Sequence, residues 1–160
     1  MFLTRSVLAL IAAAAFMAAS ALAQTSTTTR DFRFPPVGLG ATETMQINLL
    51  NNATASSSGT AASCTGTITF TSATGAIIGT AASFTVTSGQ VFSASLPFSK
   101  SGASGTRTEI VGSIQLTVST TSAAPCALAN SLETFDTSSG VTHVFLGGSS
   151  QGGGNSFGHP

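Results

Sequence analysis

From Arg107 to Ser119 the side chains alternate. Ile110, Gly112, Ile114, Leu116 and Val118 fall on one side, and Glu109, Ser113, Gln115, Thr117 and Ser119 on the other, with Val111 the exception. A period of two is the side-chain period of a β-strand. The run is rich in Thr, Val and Ile, whose branched side chains disfavour helix. The same pattern governs Cys64–Phe70, where Cys64, Gly66, Ile68 and Phe70 share one face and Thr65, Thr67 and Thr69 the other. A strand with one apolar face must bury that face against another layer.

Further strands follow in order. Asp31–Phe34 reads as a short first strand ended by Pro35-Pro36, which cannot donate to a ladder. Val37–Gly40 reads as a connection. Glu43–Asn51 is a strand with Met45, Ile47 and Leu49 on one face. The Asn/Ala/Ser/Thr/Gly stretch 51–63 is a loop with no apolar period, and its Asn52-Ala53-Thr54 matches a glycosylation sequon by letters alone. Thr71–Gly75 is turn chemistry and Ala76–Gly79 returns the chain as a hairpin. Ser83–Thr87 and Val91–Phe98 are strands, and Pro97 places the second at an edge or a strand end. Lys100–Gly105 is a loop. Cys126–Phe135 is a strand on whose apolar face Asn130 intrudes, through a bulge or as a buried, hydrogen-bonded amide. Asp136–Gly140 is a turn and Val141–Leu146 the last strand.

Seven to nine short strands with regular turn signals, and no helix, predict an all-β antiparallel β-sandwich with Greek-key connections. A closed barrel is the second possibility. The phenylalanines Phe70, Phe84, Phe92, Phe98 and Phe145 read as core. Phe32 and Phe34 pack either within the chain or against a neighbour.

The ends carry different information. Arg5, an alanine-rich apolar run at Val7–Ala19 and the small-residue site Ala21-Leu22-Ala23 predict a secretory signal peptide over residues 1–23. A membrane anchor would need a longer run, of about 20 apolar residues. Residues 24–29 form a polar lead-in, 30–146 the folded domain, and 147–160 a Gly/Ser-rich tail expected to be disordered. The mature chain retains Arg30, Arg33, Lys100 and Arg107 against Asp31, Glu43, Glu109, Glu133 and Asp136. Such a balance builds neither a basic patch for nucleic acid nor an acidic cage for calcium. Weak charge also leaves self-association open, so the expected partners are the protein itself or another surface protein. The two cysteines, Cys64 and Cys126, most simply form one disulfide in an exported chain. Two free thiols are the alternative, and a zinc site would need more ligands nearby.

No constellation for catalysis stands out, and neither a cofactor nor a metal is expected. His159 lies beside the last residue, and His143 is a single strand histidine, more often structural than a base. Gly148-Ser149-Ser150-Gln151-Gly152 spells G-x-S-x-G, a motif with meaning only on a strand-to-helix elbow. Glu133 and Asp136 could meet around the turn as a carboxylate pair, yet sugar sites usually offer aromatic platforms and the chain has no Trp and no Tyr. Glu133 reads instead as a solvated strand-end charge and Asp136 as a turn former.

The segments Phe32–Gly40, Ile47–Asn51, Cys64–Phe70, Leu96–Phe98 and Leu132–Val144 together resemble small exported bacterial proteins of unknown function with an immunoglobulin-like sandwich. The resemblance spans about residues 30–146 and implies no known activity. It departs from true immunoglobulin domains in lacking a core tryptophan. Three functions are thus expected in descending order: an exported, non-enzymatic structural or binding module at the cell surface, in the periplasm or outside the cell; a subunit of an extracellular fibre, with the lead-in and Phe32/Phe34 as donor strand; and a hydrolase using Glu133, Asp136 or His143.

Overall fold

A computed structural model of the protein describes residues 27–54, 63–119 and 126–149. Among these residues nine strands form two sheets: β1 (Thr27–Arg33), β2 (Val37–Gly40), β3 (Glu43–Asn51), β4 (Ser63–Ser72), β5 (Ile77–Thr87), β6 (Val91–Pro97), β7 (Arg107–Ser119), β8 (Leu128–Asp136) and β9 (Thr142–Ser149). Sheet A runs β1-β7-β4-β5, with β2 also on β7; sheet B runs β6-β3-β8-β9. Every pairing is antiparallel. The chain changes sheet after β2, β3, β5, β6 and β7, so the sheets are interleaved along the sequence and stack as a β-sandwich.

The alternation decides what lies between the sheets. Ile110, Ile114 and Leu116 of β7 and Cys64, Ile68 and Phe70 of β4 meet Met45, Ile47 and Leu49 of β3 and Leu128 and Leu132 of β8, all buried. Each fully buried Leu or Ile contributes roughly 1.5–3 kcal/mol relative to exposure. The opposite rows, Thr65, Thr67, Thr69 and Thr71 on β4 and Gln46 and Asn48 on β3, are only half-buried. Thr134 Oγ1, on the core side of β8, is buried without a hydrogen-bond partner among the described residues. That is a local cost of about 1–3 kcal/mol, which the surrounding core outweighs.

Several elements differ from the sequence reading. Val37–Gly40 is a strand, because β2 pairs with Arg107–Ile110 in the lane that β1 occupies further along β7. Pro35-Pro36 divides that lane. The returning segment from Ile77 and Ser83–Thr87 belong to one strand, β5, which passes through Gly79 at φ +70° and a register shift opposite Ile68–Phe70. Asn130 is buried within an unbroken β3–β8 register, so no bulge removes it from the core row. β1 begins at Thr27, inside the segment read as a lead-in, and β9 reaches Ser149, three residues into the segment read as a tail. Residues 1–26 and 150–160, which hold the expected signal peptide and the rest of the tail, lie outside the described residues. The β4–β5 hairpin is as expected: Gly75, at φ +84°, donates its N–H to the Ser72 carbonyl at 2.9 Å.

Cys64 and Cys126 are joined by a disulfide. Cys64 sits on the core face of β4 in sheet A, and Cys126 lies two residues before β8 in sheet B, so the bond staples one sheet to the other. Buried polar contacts reinforce that end. The Asn51 side chain, wholly buried at the end of β3, donates from Nδ2 to the Val86 carbonyl of β5 at 2.9 Å and accepts from the Ala53 N–H at 3.0 Å.

Two glycines are required by close approach. A Cβ on Gly66 would lie 2.1 Å from the Gln115 carbonyl oxygen of β7 and 2.8 Å from Phe84 Cζ. A Cβ on Gly112 would lie 2.7 Å from Ile47 Cδ1 and 2.9 Å from Leu132 Cδ1, both from the facing sheet.

Two outcomes are expected. Overpacking should make Gly112→Ala lose about 1–3 kcal/mol. Gly66→Ala should lose more, because a ladder carbonyl cannot swing aside as a leucine methyl can. Urea midpoints at constant m-value measure both, and the reverse order would contradict the packing given. The intact mass should be two hydrogens below the dithiol value without reductant. A Cys64→Ala/Cys126→Ala double variant should lose about 4 kcal/mol, the chain-entropy figure for a loop of this length; an unchanged melting temperature would contradict that.

Candidate functional site

Sheet register places three side-chain rows on the outer face of sheet B. Ser95, Gln46, Glu133 and Phe145 form one row across β6, β3, β8 and β9; Ser93, Asn48, Ser131 and Gly147 form the next; Val91, Leu50 and Ala129 begin a third. Paired residues on one face stand about 4.5–5.5 Å apart at Cβ, within reach of one another.

The polar members of these rows are bonded into a network. Ser95 Oγ donates to Gln46 Oε1 at 2.9 Å, and Ser93 Oγ donates to Asn48 Oδ1 at 2.6 Å. Gln46 Nε2 donates to Asn48 Oδ1 at 2.7 Å. Glu133 Oε1 accepts from Asn48 Nδ2 at 2.9 Å and from Gln46 Nε2 at 3.5 Å. Three strands thus hold one another's amides in fixed orientation, with a carboxylate at the end of the network. Each amide side chain is anchored by part of its hydrogen-bonding capacity, and neither Asn nor Gln exhausts that capacity here.

Beside the network lies a groove of about 450 Å³ lined by Asn48, Leu50, Val91, Ala129, Ser131, Phe145 and Gly147. Phe145 is 65% exposed and Val91 64% exposed. Phe145 was expected in the core. It lies instead on the outer row, because Val144 and Leu146 are the residues of β9 that pack against the interior. Phe32 and Phe34, the candidates for reaching a neighbour, pack within their own chain, and Phe34 is buried. β1, which would supply a donated strand, is paired with β7.

The three residues named for a hydrolase do not converge. Glu133 belongs to the amide network. Asp136 closes the β8–β9 turn: its Oδ1 accepts from Ser138 N at 3.0 Å, Ser138 Oγ at 2.6 Å, Ser139 N at 2.8 Å and Ser139 Oγ at 2.9 Å. Those donors, the Ser138 hydroxyl foremost, hold the Asp136 carboxyl well below the usual carboxylate range. Its role as a turn former, read from the sequence, is the one observed. His143 Nδ1 is hydrogen-bonded to Glu43 Oε1, and Glu43 Oε2 accepts from the Gly40 N–H at 2.6 Å. The Glu43 carboxyl is lowered chiefly by the His143 hydrogen bond, against the opposing effect of burial, with help from the Gly40 N–H and the charges of His143 and Arg107. This contact ties β9 to the start of β3. Among the described residues no group of three or more His, Cys, Asp or Glu side chains is placed to hold a metal ion. Of Gly148–Gly152, Gly148 and Ser149 end β9 and the remainder lies outside the described residues. No described helix is long and apolar enough to cross a membrane.

Gln46, Asn48, Ser93 and Ser95 carried no signal in the sequence beyond facing away from the apolar rows. Their mutual contacts depend on β6 and β8 flanking β3, which alternation alone does not specify. No protein-family model matches the chain, and no curated protein is found to be similar to it.

Both lowered carboxyls have a defined consequence for acid stability. A folded-state pKa below the unfolded value, about 3.9 for Asp and about 4.3 for Glu, means that the unfolded state takes up protons first as pH falls. Their contribution is therefore fully present above those values and is lost as pH falls through the folded-state pKa. Thermal unfolding from pH 7 to pH 2 should show a decline that steepens below about pH 4. Asp136→Asn should lower the melting temperature at pH 7 and flatten the acid decline. An unaltered profile would remove Asp136 from that role.

Proposed function

We propose that this protein is an exported, non-enzymatic binding module whose working surface is the outer face of sheet B. The supporting observation is the preorganised network of Gln46, Asn48, Ser93, Ser95 and Glu133 beside the apolar groove of Phe145 and Val91. Fixed amides bind at lower entropic cost than mobile ones. Neutral amides, hydroxyls and one carboxylate suit a ligand that offers many hydroxyls and little charge, while an exposed ring accepts its apolar C–H faces. Such a ligand is a polysaccharide at a surface. The mature chain lacks Trp and Tyr, and Phe145 is the aromatic platform available on this face. An immunoglobulin-like arrangement of the sandwich and passage through a signal peptide belong to the same reading. A bridge between Cys64 and Cys126 accords with an oxidising compartment.

Sedimentation with insoluble polysaccharides of differing linkage tests the proposal. The protein should be retained on at least one of them. A Gln46→Ala/Asn48→Ala/Glu133→Ala variant should lose about tenfold or more in affinity, since each hydrogen-bonding side chain is worth on the order of 1 kcal/mol. Replacing Thr67 and Thr85 on the outer face of sheet A should leave retention unchanged. Equal retention of both variants, or retention of neither variant nor parent on any polysaccharide, would overturn the reading.

A further inference from the structure

We infer that β9 is a pairing edge, and that its occupant is β9 of a second copy of this chain, joined antiparallel about a two-fold axis at Phe145. Among the described residues, β9 is hydrogen-bonded on one side only, to β8. No described strand pairs with its other side, and a strand edge left open in this way is a template for another strand.

The four sheet edges are treated differently by the sequence. β1 carries Arg30, Asp31 and Arg33, charges that discourage strand addition. β5 is interrupted by Gly79 at φ +70° and a register shift. β6 ends at Pro97, and a 3-10 turn over Phe98–Lys100 follows at once. β9 has one irregularity, at the pairing of Thr134–Phe135 with Thr142–Val144. From Val144 to Ser149 it has no charged residue, no proline and no further break. The guard is present on β1, whose Phe32 and Arg33 line a cleft with Leu146 and Gly147 of β9, and is missing from β9 itself.

The sequence of β9 pairs well with itself in one register. With Phe145 opposite Phe145 of the second copy, Val144 stands opposite Leu146 and His143 opposite Gly147. Val144 and Leu146 are half-buried and face inward, so the inner rows of the two copies would join as an apolar pair. The two exposed rings would meet on the outer face as a cross-strand aromatic pair. No charged side chains oppose across this edge, and the chain's formal net charge of +0 adds little long-range repulsion. The rotation closes, so the product is a dimer and not a filament. A contact of one strand edge lies at the small end of the interface range, below about 1,200 Å² in total, which makes the association weak and reversible.

Sedimentation velocity of the purified protein from low micromolar to near-millimolar concentration tests this. The parent should shift from monomer to dimer with rising concentration. Phe145→Lys places two like charges directly opposite each other and should remain monomeric throughout, with an unchanged circular dichroism spectrum because Phe145 is solvent-facing. Mixing Phe145→Lys with Phe145→Glu should restore the dimer. A parent that stays monomeric at every concentration, association that survives Phe145→Lys, open-ended oligomers, or a mixture that stays monomeric would each overturn the inference. The polysaccharide reading is scored on Gln46, Asn48 and Glu133, so failure of either proposal is visible separately.

Discussion

The covalent tie between Cys64 and Cys126 is the constraint on which the two-sheet arrangement rests most directly. A sheet with one apolar face gains from any second apolar face, and the hydrophobic effect is non-directional. The disulfide makes the choice of partner specific at one end: the core face of β4 can meet only the strand that follows Cys126. Asn51 acts at the same end of β3 by bonding the Val86 carbonyl of β5, so a buried amide and a covalent bond both hold sheet B on sheet A. The glycines at 66 and 112 then admit the neighbouring carbonyl and the facing Ile47 and Leu132.

With the interior settled, the two outer faces are free to differ. Sheet A presents hydroxyls: Thr65, Thr67, Thr69 and Thr71 on β4, with Ser113 and Thr117 beside them on β7. Sheet B presents amides locked to one another, ending in Glu133. Net charge is nearly absent from both, so selectivity on these faces comes from hydrogen-bond geometry and from the few exposed apolar side chains, of which Phe145 is the largest.

Strand existence was legible wherever a core row was long and regular, as in β3, β4 and β7, because alternation reports burial on one side. The disulfide was legible from having two cysteines in a chain whose sequence reads as exported. Other elements were set by neighbours and not by local composition. Val37–Gly40 contains two glycines in four residues and is a strand because β7 is long enough to pair with it after β1 ends. Phe145 was misplaced because an edge strand's alternation leaves open which side is covered, and aromatic character favoured the wrong side. The cross-strand network was invisible for a related reason. Gln46 and Glu133 are 87 positions apart, and only the order β6-β3-β8 brings them together.

The pairing of Thr27 with Ser119 has a kinetic meaning. Antiparallel hairpins such as β4–β5 and β8–β9 close short loops, whereas β1 finds its partner only across most of the domain. Loop-closure entropy rises with that separation and has to be met before the contacts repay it. This favours an order in which local hairpins form early and β1 seals sheet A late. Until then the outer side of β7 is itself an open edge. The charges that guard β1 in the finished sheet do nothing for β7 during that interval, and the arrival of Thr27–Arg33 is the step that removes it from competition with other chains.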